Sequence, residues 1–264
     1  MTFHAFARRL RKHYEVSQAD LSALESLPCE TRSFLAKEWI LQREDPKTRL
    51  LILTTGWAVR SRYTTEGQRQ IIQILLPGDV LTPDAFVVRQ SDHDILALTR
   101  ATIRTYDRAE MHRLLLDLPS LAAGLWWSAA QEEGMLREHI VRIGRRSARA
   151  RLAHLLLELY RRVCLISTPE ENCLDLPMSQ AELADALGLS AVHLNRTLRE
   201  LQRAGMVEYS GDTLCLTDRS ALAQLCDYDD LHLQLDNSAD ESAFCGTSGG
   251  PAEMQSNTSD RQSS

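Results

Sequence analysis

One stretch decides the fold of this chain: residues 178–207, MSQAELADALGLSAVHLNRTLRELQRAGMV. Ser179 is followed three residues later by Glu182, which is the spacing of a capping box at the start of a helix. Gly188 supplies a turn at a point where a Cβ would be strained, and Ser190 caps a second helix. Two short helices joined by a tight turn predict a helix-turn-helix.

The second of these helices has one apolar and one polar face. Leu194, Leu198 and Leu201 repeat at i, i+4 and i+7, so they are expected to face the core. The polar side chains around them are left for a binding partner, and the architecture indicates DNA. We therefore predict DNA contacts from eight residues: Ser179, Gln180, Ser190, Val192, His193, Asn195, Arg196 and Arg199.

Two β-rich runs follow the second helix. MVEY and TLCLT flank Ser210, Gly211 and Asp212, which is the pattern of a short hairpin with its turn. A capping box with a leucine stripe also occurs in ordinary helical hairpins that bind nothing. The added β-hairpin favours the winged helix over that simpler interpretation.

Length and composition place the chain among two-domain globular proteins, with 264 residues and 44% hydrophobic content. No run approaches the roughly 18 apolar residues of a membrane span, and the N-terminus lacks a signal-peptide pattern. We expect a cytoplasmic protein without a membrane partner. The six cysteines show no C-x-x-C spacing, so we expect reduced thiols and neither a disulfide scaffold nor a zinc site.

The net charge of −6 is unevenly distributed. From Asp227 onward the chain carries eight acidic residues and one basic residue, which leaves +1 for residues 1–226. Affinity for phosphate depends on a local basic face, so the total charge does not argue against DNA. Residues 236–264 are rich in Ser, Asp, Gly and Asn and are predicted to be a disordered acidic tail.

The remaining chain divides into three parts. Residues 1–27 are typical of short helices, and closely spaced β-rich runs between residues 33 and 107 predict a compact β-barrel or roll. A long helix is expected from Leu121 to about Gly144. Its apolar positions include Leu136 and Ile140, which predict a seam against a second copy of the chain.

Two features of the long helix have more than one interpretation. Trp126 and Trp127 are adjacent and therefore point in different directions, one under the roll and the other toward the seam or a ligand cavity. A basic run follows at the junction with the winged helix and is either a solvated face or a phosphate-contacting surface. Its members are Arg142, Arg145, Arg146, Arg149 and Arg151.

This order of parts resembles the Crp/Fnr family of bacterial transcription regulators over about residues 20–226. The most specific motifs are Gly56, the Glu66-Gly67 hairpin, LLPGD at 75–79, the helix at 126–148 and the block at 188–207. The resemblance implies an α+β fold with a cyclic-nucleotide-binding-like β-roll, a long dimerisation helix and a C-terminal winged helix-turn-helix. The expected boundaries are residues 1–118, 119–146 and 147–230.

The chain differs from well-known members of the family at the residues that would bind a signal. Those that bind cyclic nucleotides carry a glycine-glutamate pair after the P-G-D turn and later an arginine-serine pair, but this chain has Leu81–Asp84 and residues 93–96 there. An acidic residue near a phosphate would repel it, so we do not expect cyclic nucleotide binding. Cys29 is the only cysteine before residue 164, which is too few for an iron–sulfur cluster. Haem stays open, with candidate ligands His4, His13, His93, His112 and His139.

The recognition helix also departs from those members, which place glutamate where this chain has Val192 and arginine where it has Arg196. Arg196 is predicted to contact guanine through two hydrogen bonds, and Val192 to contact a thymine methyl. We therefore expect an operator that differs from the best-known consensus of the family.

The predicted function is a homodimeric, sequence-specific transcription regulator that binds an inverted repeat. Its partners would be double-stranded DNA, RNA polymerase and a small-molecule or redox signal. No G-x-S-x-G, phosphate loop or H-E-x-x-H motif indicates an enzyme. The alternative is a signal-binding interaction module that regulates a protein partner without binding DNA.

Overall fold

The structure is a computed structural model that describes residues 4–13, 16–168 and 172–233. The predicted tail at 236–264 lies outside the described residues, as does Cys245. Two short helices come first, as predicted: α1 (His4–His13) and α2 (Gln18–Ser26). Among the described residues, no helix combines the length and the apolar character needed to cross a membrane.

A β-roll follows the two helices and forms the N-terminal domain. One antiparallel sheet has the order β1-β7-β3 and the other β2-β6-β4-β5. Side chains from both sheets, such as Leu53, Ile95 and Ile103, meet between them in a buried core. The strands are β1 (Cys29–Phe34), β2 (Trp39–Leu41), β3 (Arg49–Thr55), β4 (Ala58–Tyr63), β5 (Arg69–Leu75), β6 (Asp94–Ala97) and β7 (Ala101–Asp107).

The Pro77-Gly78-Asp79 turn after β5 is fixed by two local features. Gly78 has φ +94°, a conformation that L side chains rarely adopt, and its Cα faces the backbone of Ala5 in α1. The Asp79 carboxylate accepts the backbone N–H of Leu76 at 2.7 Å. The turn is therefore closed on itself and packed under the first helix.

Helix α3 (Arg108–Asp117) leads into the long helix α4 (Pro119–Arg145), which confirms the predicted long helix. Pro119 is the first helical residue, where its missing N–H costs no hydrogen bond. Trp127 packs against the cluster formed by the N-terminal helices and the roll, whereas Trp126 is 79% exposed. The two indoles diverge as predicted.

The C-terminal domain is a winged helix. It comprises α5 (Ala148–Ile166), β8 (Cys173–Asp175), α6 (Gln180–Leu187), α7 (Ala191–Arg203), β9 (Val207–Ser210), β10 (Thr213–Leu216) and α8 (Arg219–Cys226), followed by a 3-10 turn at Leu231–Leu233. The hairpin of β9 and β10 was predicted, but the third strand β8, which gives the sheet order β8-β10-β9, was not.

A buried ionic cluster joins the two domains. Asp79 of the roll pairs with Arg9 of α1 and with Arg162 of α5, whose Nη2 lies 2.7 Å from Asp79 Oδ2. Arg162 also donates to the carbonyl oxygen of Ile74 at 2.9 Å. All three charged residues are at most 6% exposed, so the cluster is shielded from water and salt.

The expectation of reduced thiols is wrong for one pair of cysteines. Cys173 and Cys215 lie directly opposite each other on β8 and β10 and are joined by a disulfide. Sequence spacing does not show this, because 42 residues separate the two positions along the chain. Among the described residues, Cys29, Cys164 and Cys226 are not part of a disulfide.

Candidate nucleic-acid interface

Helix α6 begins and ends at the predicted residues, and α7 begins at its predicted cap. Ser179 accepts the N–H of Glu182 while the Glu182 carboxylate accepts the N–H of Ser179, which completes the capping box. Gly188 ends α6 in the left-handed conformation, at φ +61°, and its N–H bonds to the carbonyl of Ala184. Ser190 then caps α7 by accepting the N–H of His193.

The buried face of α7 is the predicted leucine stripe. Leu194, Leu198 and Leu201 are at most 6% exposed and pack into the main hydrophobic core with Leu183 and Leu187 of α6. This packing fixes the rotation of α7 about its own axis. The opposite face therefore points away from the domain.

Five of the eight predicted contact residues lie exposed on this outward face or at the helix caps. Val192 is 82% exposed, and the Arg196 side chain is 68% exposed. Arg196 is held only loosely by Glu200, one turn further on, at 4.0 Å. The exposed five are Ser179, Ser190, Val192, Arg196 and Arg199.

The other three residues, Gln180, His193 and Asn195, are partly buried. Asn195 donates from Nδ2 to Oε1 of Gln180 at 2.8 Å, so these two side chains bridge the helices. This bridge places the first residue of α6 beside the outward face of α7. It brings the two predicted groups of contacts onto one surface.

One basic residue of this surface was missed by the sequence analysis. Arg203 is exposed in the last turn of α7 and lies four residues after Arg199 and seven after Arg196. Helical spacing puts all three guanidinium groups on one side of the helix. Extending the leucine-stripe analysis to the end of the helix would have found it.

The structure divides the basic run at the junction of α4 and α5. Arg142 is 2% exposed and pairs with Glu158 at 2.6 Å, so neither predicted interpretation, solvated face or phosphate contact, holds for it. Arg146 pairs with Glu138, and Arg151 donates to the carbonyls of Arg146 and Leu187. Two members stay on the surface: Arg145 is exposed, and Arg149 is partly exposed.

Two domain families match this chain. Residues 31–117 match the cyclic nucleotide-binding domain, and residues 150–225 match the Crp-like helix-turn-helix domain. The nitrogen fixation regulation protein FixK of Azorhizobium caulinodans is 30% identical over 175 residues, covering 66% of this chain and 70% of FixK. The transcriptional activator protein FnrL of Cereibacter sphaeroides is 27% identical over 196 residues, covering 73% and 77%.

A solved structure agrees over nearly its whole length. FixK2 from Bradyrhizobium japonicum superposes with a TM-score of 0.69 at 26% identity, over 75% of this chain and 98% of FixK2. This chain belongs to the Crp/Fnr family. Like its Crp/Fnr relatives, it is a DNA-binding transcription regulator.

The roll of this Crp/Fnr protein holds internal partners at the places the family resemblance assigns to a cyclic nucleotide. Asp84 lies 2.7 Å from Nζ of Lys47, whose side chain is fully buried. The hydroxyl of Thr82 donates to the carbonyl of Arg49. Burial lowers the pKa of His93 to about 4, and its Nδ1 lies 2.7 Å from Asp92.

Arg60 is a second residue that the sequence analysis missed. It donates to Gln73 Oε1 at 2.6 Å and to the carbonyl of Leu81 at 2.9 Å, and it pairs with Glu132 of α4. Burial lowers its pKa to about 10. A register shift between Arg60 and Ser61 breaks the strand alternation, so the pattern alone does not show that Arg60 faces inward.

The histidines left open as haem ligands lie apart from one another. His93 is in the roll, His112 is exposed on α3, and His139 is buried in α4. Within the described residues, no group of three or more His, Cys, Asp or Glu side chains is arranged to hold a metal ion. His4 and His13 lie at the two ends of α1.

Proposed function

We propose that this regulator acts as a homodimer that binds an inverted-repeat operator, with α7 of each subunit in the major groove. The observation that carries this proposal is the combination of an outward polar face on α7 and an exposed apolar stripe on α4. Half-sites about one helical turn apart, roughly 10 base pairs, follow from that geometry.

The stripe on α4 supports the dimer. Trp126 and Ile140 are two heptads apart and are 79% and 60% exposed, and Leu136, four residues before Ile140, is 42% exposed. Ala129, Glu133 and Ile143 complete the alternating three- and four-residue spacing of a coiled-coil seam. The opposite face of α4 is already buried, so only the striped face is left for a second copy.

The residues on the surface of α7 suggest two kinds of DNA contact, one to base edges and one to the DNA backbone. Arg196, exposed on the outward face, is suited to two hydrogen bonds with guanine, and Val192 to a thymine methyl. His193 and Asn195 border the same surface. Ser179, Gln180, Ser190 and Arg199 lie where they would contact the DNA backbone, and exposed Arg145 would add a phosphate contact.

The signal would act through the roll and would differ from a cyclic nucleotide. Lys47 and Arg60, two of the buried cations of the roll, are paired with Asp84 and Glu132, so neither is free for a cyclic phosphate. Ser61 Oγ is also buried, without a hydrogen-bond partner among the described residues. Such an atom favours a small polar ligand or ordered water in the roll.

RNA polymerase is the further partner that we propose, because FnrL is named a transcriptional activator. The alternative, a module that regulates a protein partner without DNA, is weakened by the exposed Arg196, Arg199 and Arg203. Their positive charge is what a phosphate backbone attracts.

A gel-shift assay on random genomic fragments, combined with light scattering, tests the proposal. We expect a subset of fragments to shift at nanomolar protein, footprints with two-fold symmetry, and a mass in solution of two chains. A monomer that protects one asymmetric half-site would contradict the dimer. The absence of any preferred fragment would favour the protein-partner alternative.

A further inference from the structure

We propose that Cys173 and Cys215 are a reversible thiol–disulfide pair whose redox state controls how tightly the adjoining helix-turn-helix binds DNA. The inference rests on the proposed function, because it names the kind of signal that regulates DNA binding. This redox signal would act in addition to the signal that we propose for the roll.

Strand register places the two cysteines directly opposite each other on neighbouring strands, where a disulfide can form. The N–H of Leu216 bonds to the carbonyl of Asn172, and the N–H of Leu176 bonds to that of Asp212. Cys173 and Cys215 therefore occupy the narrow, non-hydrogen-bonded pair between these bonds. Their Cα atoms are 4.0 Å apart, and their sulfur atoms are bonded to each other across the two strands.

Solvent access distinguishes this pair from a structural thiol. Cys173 lines an open cleft of about 600 Å³ between the wing and the roll, together with Trp57, Pro77 and Val163. Cys226, by contrast, is 2% exposed, and burial raises its pKa to about 11. A thiolate exchanges only where a partner molecule can reach it, so Cys173 is the position of entry.

The bridge encloses the DNA-binding elements. The segment between the two cysteines contains all of α6, α7 and β9. Strand β8 has only three residues and is followed, after Leu176–Met178, by the cap residue Ser179 of α6. A covalent bond from β8 to β10 therefore adds to the hydrogen bonds and to the buried Leu174 and Leu176, which also hold the start of the helix-turn-helix against the wing.

The chemistry is ordinary disulfide exchange with a low-molecular-weight disulfide such as oxidised glutathione. The Cys173 thiolate attacks one sulfur of glutathione disulfide, which forms a mixed disulfide and releases one glutathione thiolate. The Cys215 thiolate then attacks the sulfur of Cys173 and releases the second glutathione. Two protein thiols are oxidised, one glutathione disulfide is reduced, and the two protons end on glutathione.

Full-length protein equilibrated across ratios of reduced to oxidised glutathione provides the test. Alkylation and peptide mass spectrometry report the state of each cysteine, and fluorescence anisotropy reports the Kd for a duplex selected from a random pool. We expect Cys173 and Cys215 to become oxidised together. The oxidised protein should bind the selected duplex at least about fivefold more tightly, because its binding surface is preorganised.

Two variants make the result specific. Cys173→Ser combined with Cys215→Ser should bind with the weaker, reduced affinity at every ratio. Cys29→Ser removes a partly exposed thiol of the roll and should keep the full response. Thiols that never pair, or a paired state with unchanged Kd, would overturn the inference.

A protein that binds no DNA in either state would instead contradict the proposed function. The melting temperature then tests separately whether the disulfide forms in solution. Oxidation must raise the melting temperature of the wild-type protein and leave that of the double serine variant unchanged, because the bridge restrains the unfolded chain. Equal melting temperatures would exclude a bridge in solution.

Discussion

Arg196 shows how the fold prepares an ordinary side chain for the specific contact that we propose. Leu194 and Leu198 are buried on either side of it in sequence, so the backbone of α7 cannot rotate without exposing them. Its guanidinium extends into solvent with only a 4.0 Å approach to Glu200. It is therefore available to a base edge and costs little to detach from its neighbour.

Replacing Arg196 with Ala should separate base contacts from phosphate contacts. We expect a loss of about 1–3 kcal/mol on the selected operator and little loss on random DNA, because a two-bond guanine contact carries sequence information. Arg145→Ala is the matched variant: it should weaken all sequences alike and reduce the salt slope by about one. Anisotropy titrations over a salt series measure both. Equal losses for Arg196→Ala on both DNAs would mean that another residue, such as Asn195, contacts the bases.

A second prediction at this scale concerns Asp79. Asp79→Asn leaves Arg9 and Arg162 buried without their shared anion, so we expect a loss of about 3–5 kcal/mol in the free energy of unfolding. Glu30→Gln is the control: its pair with Arg49 is about half exposed on both sides, and the loss should stay below about 1 kcal/mol. Urea denaturation of both variants gives the comparison. Similar losses would show that burial does not strengthen the Asp79 cluster.

At the scale of elements, α4 separates two surfaces of different chemistry. One face packs on the protein through Leu121 and Met135, and the other exposes Trp126, Leu136 and Ile140. An apolar stripe of this length on a 27-residue helix is rarely left in water. The hydrophobic effect would favour burial of this stripe against a second copy, as in the proposed dimer.

Leu136→Asp should therefore break the dimer and weaken operator binding in the same variant, because a carboxylate would be buried in the seam. Leu116→Asp is the matched control, since Leu116 of α3 is also exposed, at 68%, but lies off the stripe. Sedimentation equilibrium and anisotropy on the same samples measure both effects. A Leu136→Asp protein that stays dimeric would place the seam elsewhere.

Elements with a local signal were predictable, and those with distant partners were not. The capping box of α6, the apolar stripe of α7 and the continuous helical pattern of α4 each depend on residues that are neighbours in the sequence. Strand β8 is three residues long, and its partner β10 starts at Thr213, so no local pattern identifies it. The Cys173–Cys215 pair was missed for the same reason, because it depends on that pairing.

Site residues divide along the same line. The exposure of the proposed contact residues of α7 follows from periodicity, which needs only the helix itself. Arg142 was predicted to lie on the surface because it belongs to a run of arginines. In the structure it is buried and pairs with Glu158 of the next helix, α5. Sequence shows the charge of such a residue but not which carboxylate the tertiary structure brings to it.

On the scale of the whole molecule, three buried histidines couple stability to pH. Burial lowers the pKa of His93 and His139 to about 4 and that of His154 to about 2. In the unfolded chain each would titrate near 6.5. Between these values the unfolded state binds more protons than the native state, so acid favours unfolding.

We expect the free energy of unfolding to be highest above pH 6.5 and to fall as the pH drops toward 5. Each histidine that stays neutral in the native state lowers the free energy of unfolding by about 1.4 kcal/mol for each pH unit below the pKa of the unfolded chain. Urea titrations at several pH values measure the slope. His139→Gln should lower the slope of unfolding free energy against pH by about a third. A free energy that stays constant from pH 7 to 5 would show that these histidines are not held neutral in the native state.

The shared carboxylate of Asp79 also limits how this protein is recombined with its relatives. A graft that moves the winged helix onto another roll carries Arg162 with it and leaves Arg9 behind. If the corresponding turn of the other roll lacks an aspartate, Arg162 is buried at the domain junction without its carboxylate partner. A working chimaera would need helix α1, the Pro-Gly-Asp turn and α5 to be exchanged as one unit, although they lie far apart in the gene.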